Sequence, residues 1–245
     1  MKRNKFSALI VGIAVLTLAG PQLLSAQPAE TTAAKNTAII PMPRDEKWVG
    51  RHDGFVTIAK QGDFDLLFVG DSITDGWRGS GKTVWGKYFA PMKAANFGIG
   101  GDQTQHVLWR LDNGELEGAH PKLAVLMIGT NNLRNNSNEE IAEGIAVIVK
   151  DIRTKCPATK VLLLAVFPRA EKAEAPERAK IKAINDIIAK LDDGKMVKYL
   201  DISAKFLDAD GTLPKAIMPD SLHPNEAGYQ IWADAVLPTV QQMMK

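Results

Sequence analysis

The sequence lacks the features that define several classes of protein. It has one cysteine, Cys156, among 245 residues, so it can form neither an intrachain disulfide nor a cysteine-based zinc cluster. Its 30 lysines and arginines are nearly balanced by 28 aspartates and glutamates, so no excess of charge points to nucleic acid. The apolar run at residues 8–18 is about 11 residues long, shorter than the roughly 20 residues of a membrane span. With 45% hydrophobic residues, the composition is that of an ordinary globular domain.

The N-terminus has the pattern of a secretory signal peptide. Three cations within residues 2–5 precede the apolar run, and small residues follow it up to Ala26. We therefore predict a signal peptide over residues 1–26 and a secreted or periplasmic protein, with a retained signal anchor as the alternative. Loss of three cations and no anion would change the formal charge from +2 to −1. The small positive charge therefore does not argue for a nucleic-acid partner.

The remaining chain divides into an arm and one domain. Residues 27–60, which begin with an Ala-, Thr- and Pro-rich stretch, are predicted to form an N-terminal arm. Residues 61–245 show no internal repeat and are predicted to form a single domain.

Within that domain, short apolar runs alternate with helix-like segments. The runs mostly lack strict alternation, as expected for strands of a parallel sheet buried on both faces. They are Leu66–Val69, Ala94–Phe97, Leu123–Ile128, Val161–Val166 and Val197–Leu200. Isoleucine stripes predict helices from an Asn138 cap to Ile152 and from Ile181 to a stop at Gly194. A last helix begins near Asn225, with Pro238 as a kink or break. This order predicts a three-layer α/β/α sandwich with a mostly parallel five-stranded sheet.

Polar and glycine-rich motifs follow the predicted strands, where ligands of such folds bind. They are Gly70-Asp71-Ser72-Ile73-Thr74, Asn96-Phe97-Gly98-Ile99-Gly100-Gly101-Asp102, Gly129-Thr130-Asn131-Asn132 and Asp220-Ser221-Leu222-His223. Ser72 would lie at a helix N-terminus, exposed for attack. Each motif alone also has a structural interpretation as a helix cap, a turn or a common loop.

A histidine three residues after a carboxylate has a specific chemical use. Asp220 can bond the Nδ1 of His223 and leave Nε2 to take a proton from a serine. The other three histidines lack a neighbouring serine motif: His52 and His120 lie in predicted loops, and His106 lies in a predicted amphipathic helix.

Taken in order, the four motifs resemble the four blocks of the SGNH (GDSL-type) hydrolases over about residues 64–240. The longer run from Asn96 to Leu116 is similar to the catalytic subunits of the platelet-activating-factor acetylhydrolase group. Two positions depart from the commonest family pattern, Ile73 in place of Leu and Asn132 in place of Asp. Neither departure removes a residue to which the resemblance gives a catalytic role.

The resemblance implies a flavodoxin-like fold and a serine ester hydrolase. It gives Ser72 as nucleophile, His223 as general base and acid, and Asp220 as the group that orients His223. It implies an oxyanion hole from the N–H groups of Ser72 and Gly101 and the side-chain amide of Asn131. The expected substrate is a small ester with a short acyl group, acetyl first, on a carbohydrate or a lipid resembling platelet-activating factor. No metal or other cofactor is expected, and a homodimer is left open.

Two other functions fit parts of the sequence. Residues 76–83 match the phosphate-loop pattern G-x-x-x-x-G-K-[ST], but no predicted strand ends immediately before them. We interpret this stretch as a loop beside Ser72, with Trp77 and Arg78 as candidate substrate contacts. A glycan- or lipid-binding module without catalytic turnover is the second alternative.

Overall fold

The predicted apolar runs form five parallel strands in a computed structural model that describes residues 35–245, together with Met1 and Gly12. The strands are β1 (Leu66–Gly70), β2 (Ala94–Gly98), β3 (Leu123–Met127), β4 (Lys160–Leu164) and β5 (Val197–Leu200). Their order in the sheet is β2-β1-β3-β4-β5, and every neighbouring pair is parallel. The predicted fold class is confirmed. Apart from Met1 and Gly12, the predicted signal peptide and the start of the predicted arm lie outside the described residues.

Helices cover both faces of the sheet. They are α1 (Glu46–Gln61), α2 (Ser72–Asp75), α3 (Lys82–Tyr88), α4 (Thr104–Asp112), α5 (Asn138–Lys155), α6 (Pro176–Ile188) and α7 (Glu226–Met243). Alternate residues of β1 point to opposite faces. Leu67 and Val69 pack with α1, α4, α5 and α6, whereas Leu66 and Phe68 pack with α3 and α7. No helix within residues 35–245 is long and apolar enough to cross a membrane.

The structure corrects the last part of the predicted arm. Its last part forms α1, in which Trp48, His52, Phe55 and Ala59 are buried, and the compact unit begins at Lys35. The spacing of four, three and four residues is that of an apolar helix face, which the prediction of an arm overlooked. His52 therefore lies in a buried helix and not in a loop.

Two predictions about helices need small corrections. The cap of α5 is Ser137 and not Asn138, because the Ser137 hydroxyl accepts the Glu140 N–H at 3.1 Å and the Glu140 carboxylate accepts the Ser137 N–H at 2.9 Å. Helix α7 follows an Asn225 cap as predicted, and it continues through Pro238 without a break.

Candidate active site

The turn from β1 to α2 presents Ser72 at the carboxyl edge of the sheet. Gly70 ends β1, and a Cβ there would overlap Thr74 and the Met127 carbonyl, so only glycine fits. Asp71 caps α2 by accepting the Ile73 N–H at 3.0 Å. Ser72 is the first residue of α2, where a backbone N–H has no partner within the helix. The half-buried Ser72 side chain therefore lies next to a backbone N–H that is free to donate to a ligand.

Ser72, His223 and Asp220 form one hydrogen-bonded row. The Ser72 Oγ lies 2.8 Å from His223 Nε2, although the two residues are 151 positions apart in the chain. On the other side of the ring, His223 Nδ1 lies 2.6 Å from Asp220 Oδ2. The second oxygen of Asp220 accepts the N–H of His223 at 2.7 Å, which fixes the carboxylate as well as the ring. Partial burial would raise the pKa of Asp220, but the hydrogen bonds from His223 hold it below its ordinary value.

The loop that carries His223 is tied to the end of β4. Ser221 and Ala170 both have left-handed backbone angles, with φ of 57° and 66°. The Ala170 N–H donates to the Ser221 carbonyl at 2.9 Å. Residues other than glycine adopt this conformation only where the surroundings hold them. The bond between two such residues therefore fixes the segment just before His223.

The glycine-rich loop after β2 lies against Ser72. A Cβ built on Gly100 would be 3.8 Å from the Cβ of Ser72. Gly101 has φ of +81°, and the Asp102 N–H closes the turn on the Ile99 carbonyl at 3.2 Å. From the end of β3, Asn131 Nδ2 donates to the Asp102 carbonyl at 2.9 Å. The structure thus brings Ser72, Gly101 and Asn131 into one contiguous region.

Asp71 is a second titratable group beside the nucleophile. Its side chain is fully buried, and Oδ2 has no hydrogen-bond partner within the described residues. Burial raises the pKa of Asp71 to about 7, against the opposing effect of the Ile73 N–H. A carboxyl group with this pKa is partly protonated at neutral pH, which lowers the cost of its burial.

The structure corrects the role predicted for Trp77. This side chain is 1% exposed, with ring centroids 4.5 Å from Tyr229 and 4.9 Å from Trp232. It is a core residue and has no surface to offer a substrate. Arg78 bonds Asp75 and the carbonyls of Asn96 and Gly98 along β2. A contact between Arg78 and substrate stays a prediction.

The phosphate-loop alternative also fails on local structure. Helix α2 separates β1 from Gly76, and residues 76–78 form a short 3₁₀ helix. A Cβ at Gly76 would overlap the Tyr229 hydroxyl, and one at Gly81 would lie 2.7 Å from the Trp77 ring. Close packing of two aromatic side chains therefore accounts for both glycines, with no need for a phosphate.

Sequence analysis did not single out two arginines near the glycine-rich loop. Arg44 Nη1 donates to the Gly100 carbonyl at 2.7 Å, and Arg110 is fully buried behind the loop. A signal for Arg110 was present, because its helical neighbours Val107 and Leu111 are apolar. A charged residue between two apolar helix positions indicates that the charge is buried with a partner.

No group of three or more metal-binding side chains within residues 35–245 is placed to hold a metal ion.

The comparison with family models decides the classification. Residues 68–231 match the model of the GDSL-like Lipase/Acylhydrolase family. The chain belongs to this family. It is therefore an acylhydrolase of the esterase class, and the residues that align include all the motifs at the strand ends.

Curated members of the family are similar over most of their length. The chain is 42% identical to platelet-activating factor acetylhydrolase IB subunit alpha2 of Rattus norvegicus over 186 residues, which are 76% of this chain and 80% of the rat protein. It is 36% identical to subunit alpha1 of Bos taurus over 201 residues, or 82% of this chain and 85% of the bovine protein.

Solved structures of other acylhydrolases share the fold. A GDSL-like lipase from Bacteroides thetaiotaomicron superposes with a TM-score of 0.62 at 20% identity, covering 78% of this acylhydrolase and 97% of that chain. An acetylxylan esterase from Geobacillus stearothermophilus gives a TM-score of 0.59 at 19% identity, covering 74% and 96%. At this identity the likeness concerns the fold alone.

Proposed function

We propose that this acylhydrolase cleaves small carboxylic esters with a short acyl group, acetyl first, through the triad Ser72, His223 and Asp220. The observation that carries the proposal is the row of two hydrogen bonds, 2.8 and 2.6 Å long, that joins the three side chains. Serine is a weak nucleophile unless a base takes its proton. This arrangement supplies the base and holds it in one orientation.

Acylation follows from the position of each atom. His223 Nε2 takes the Ser72 proton as Oγ forms a bond to the ester carbon, and the carbonyl electron pair moves to oxygen. Asp220 keeps the other proton on Nδ1 and stabilises the imidazolium. The N–H groups of Ser72 and Gly101 and the Asn131 amide are the proposed donors to the oxyanion. One such donor contributes roughly 3–4 kcal/mol to the transition state.

The end of acylation and the whole of deacylation use the same groups. The oxyanion collapses, the ester C–O bond breaks, and His223 gives its proton to the departing alcohol. In deacylation, water gives a proton to His223 as its oxygen forms a bond to the acyl carbon. The second tetrahedral intermediate then collapses, the bond from the acyl carbon to Ser72 Oγ breaks, and His223 returns the proton to Oγ as the acid leaves. The chain's own residues supply every proton transfer in this sequence.

The short acyl group is supported by the relatives and by the surroundings of the site. The curated relatives are named as acetylhydrolases, and one structural neighbour is named as an acetylxylan esterase. A cavity of about 240 Å³ reaches Gly100 and is lined mainly by polar and charged residues, none of them from the proposed triad. Those with charge are Arg44, Asp45, Lys47, Arg51 and Asp75. A long apolar chain would desolvate these groups without bonding them.

Acyl-chain profiling tests the substrate class. We expect p-nitrophenyl acetate to be hydrolysed with at least a tenfold higher kcat/KM than the octanoate. Acetate release from acetylated xylan and from a 2-acetyl phospholipid would then distinguish a carbohydrate from a lipid substrate. Preference for chains of eight or more carbons would contradict the proposed acetylesterase activity.

Export and dimerisation stay predictions of the sequence. Cleavage after Ala26 would leave the compact unit intact, because that unit begins at Lys35. An N-terminal residue of Gln27 in protein recovered outside the cytoplasm would test the signal peptide.

A further inference from the structure

A fully buried guanidinium lies beneath the proposed oxyanion hole. Arg110, from α4, is 0% exposed. Its Nη1 donates to the Phe97 carbonyl of β2 at 2.8 Å and to both oxygens of Glu115 at 2.7 Å. Its Nη2 lies 3.5 Å from the Gly70 carbonyl at the end of β1. One side chain therefore contacts the ends of β1 and β2, the strands that precede Ser72 and the glycine-rich loop.

The same arginine pairs with the acid that ends the glycine-rich loop. Arg110 Nε lies 3.1 Å from Asp102 Oδ2, in an ion pair whose atoms do not line up as a hydrogen bond. The other oxygen of Asp102 accepts Trp48 Nε1 at 2.7 Å and Arg44 Nη1 at 3.2 Å. Burial raises the pKa of Asp102, and the Arg110 cation opposes this most strongly. Because the Asp102 side chain is buried and both of its oxygens have cationic or N–H neighbours, the orientation of the Asp102 backbone is fixed as well.

The backbone of Asp102 is linked to two proposed oxyanion donors, to one through the chain and to the other through a hydrogen bond. The peptide bond before it carries the Gly101 carbonyl, and its N–H closes the Ile99 turn that sets the Gly101 conformation. Its carbonyl accepts one hydrogen of Asn131 Nδ2 at 2.9 Å. The second hydrogen of the same amide points in another direction and is the one proposed to bind the oxyanion. A shift of Asp102 would therefore move Gly101 and Asn131 together.

The groups around Arg110 are two carboxylates, a second arginine and two histidines. Arg110 pairs with both Asp102 and Glu115, whereas Arg44 pairs with Asp102 alone. His52 Nδ1 lies 3.5 Å from Glu115 Oε2. His106 Nδ1 accepts the Gln103 N–H at 3.0 Å. Burial, with the nearby Arg44 and Arg110 cations, lowers the pKa of His106 to about 4. This ring is neutral at working pH, so the charge that holds Asp102 comes from Arg110 on one oxygen and from Arg44 on the other.

We propose that Arg110, acting through Asp102, is a positioning residue that aims the Gly101 N–H and the Asn131 amide at the oxyanion. The inference rests on the proposed function, since it assigns a purpose to the same site. Arginine suits this position because its planar fork reaches a carboxylate and backbone carbonyls together, whereas a lysine ammonium is a point charge. Neither residue touches substrate, so the effect is expected in the transition state only.

Two conservative variants test the link. Asp102→Asn keeps the shape of the side chain and an acceptor for Trp48 but removes the charge that Arg110 holds, and Arg110→Lys keeps the charge but loses the fork. We expect kcat for p-nitrophenyl acetate to fall about 10- to 100-fold in each, as for a small misplacement of catalytic groups. The KM should stay within about threefold, because ground-state contacts are retained.

A matched control separates positioning from loss of stability. Thr159 is buried at the opposite edge of the sheet and donates to the Pro121 carbonyl at 2.6 Å. Thr159→Val should lower the melting temperature and leave kcat of the folded protein unchanged. If Arg110→Lys does not fold, the Asp102→Asn variant decides alone. The second readout is then the rate at which diethyl p-nitrophenyl phosphate modifies Ser72 in the Asp102→Asn variant.

The outcomes also separate this inference from the proposed function. Full activity in a Ser72→Ala variant would overturn the proposed function itself. Loss of activity in Ser72→Ala, with unchanged kcat in folded Asp102→Asn and Arg110→Lys, would overturn the positioning role alone. A fall in kcat that matches the unfolded fraction would also overturn it.

Discussion

Replacing Ser72 with alanine is expected to reduce kcat for p-nitrophenyl acetate by on the order of 10⁴- to 10⁶-fold, the range seen when a catalytic serine is removed. The fold should survive, because Asp71 and not Ser72 caps α2. The one side-chain hydrogen bond of Ser72 in the described structure is to His223. Residual hydrolysis above the rate in water would come from the remaining oxyanion donors. Steady-state kinetics and a thermal melt of the same preparation measure both quantities.

Ser80 supplies a control for the serine substitution. It is exposed in the loop before α3, so Ser80→Ala should retain full activity. Lys82→Ala, at the first residue of α3, tests the phosphate-loop alternative directly. Full activity in Ser72→Ala together with its loss in Lys82→Ala would contradict the proposed chemistry.

The second large effect is expected for His223→Ala. Without the imidazole, Ser72 has no base within hydrogen-bond distance among the described contacts, and the departing alcohol has no acid. We expect a loss similar to that of Ser72→Ala, on the order of 10⁴- to 10⁶-fold in kcat. Because the residues of a triad act as a unit, the double variant Ser72→Ala/His223→Ala should be about as slow as either single variant.

A surface histidine gives the control for this substitution. His120 is exposed before β3, and His120→Ala should leave kcat unchanged. If the losses in the two single variants instead multiply in the double variant, Ser72 and His223 act independently, and the hydrogen bond between them has no catalytic meaning.

The sequence carried most of the information about the sheet. All five strands lie where apolar runs predicted them. The central strands are apolar on both faces, whereas the edge strands β2 and β5 are only partly buried. Among the central strands, β1 shows this most clearly, with all five residues from Leu66 to Gly70 buried. Helix α1 was missed because the interpretation of residues 27–44 as an arm, which rested on their composition, was applied to the next segment as well. Its apolar spacing from Trp48 to Ala59 was sufficient to predict it.

The candidate site was predictable where a motif is local and not where contacts are distant. Asp220 and His223 are three residues apart, so their pairing could be inferred from spacing. The approach of His223 to Ser72 across 151 residues could be expected only from the resemblance to a family. Trp77 was misplaced because an aromatic residue near a predicted nucleophile fits both a substrate contact and a core. Only the packing of Tyr229 and Trp232 around it distinguishes these roles.

The buried charges illustrate a further limit. Arg110 contacts Phe97, 13 residues away, and Gly70, 40 residues away. No sequence period connects these positions, since they meet only after α4 packs under the ends of β1 and β2. Spacing along α4 could indicate that Arg110 faces inward, but not which carboxylate it meets.

Covalent trapping of the nucleophile tests the central claim most directly. Diethyl p-nitrophenyl phosphate reacts with an activated serine, and the resulting phosphoryl-enzyme turns over slowly. The account predicts one diethyl phosphoryl group per chain, located at Ser72 by peptide mass spectrometry, with activity lost in proportion to its incorporation. Complete inactivation with the group on another residue, or full ester hydrolysis by a chain modified at Ser72, would contradict it.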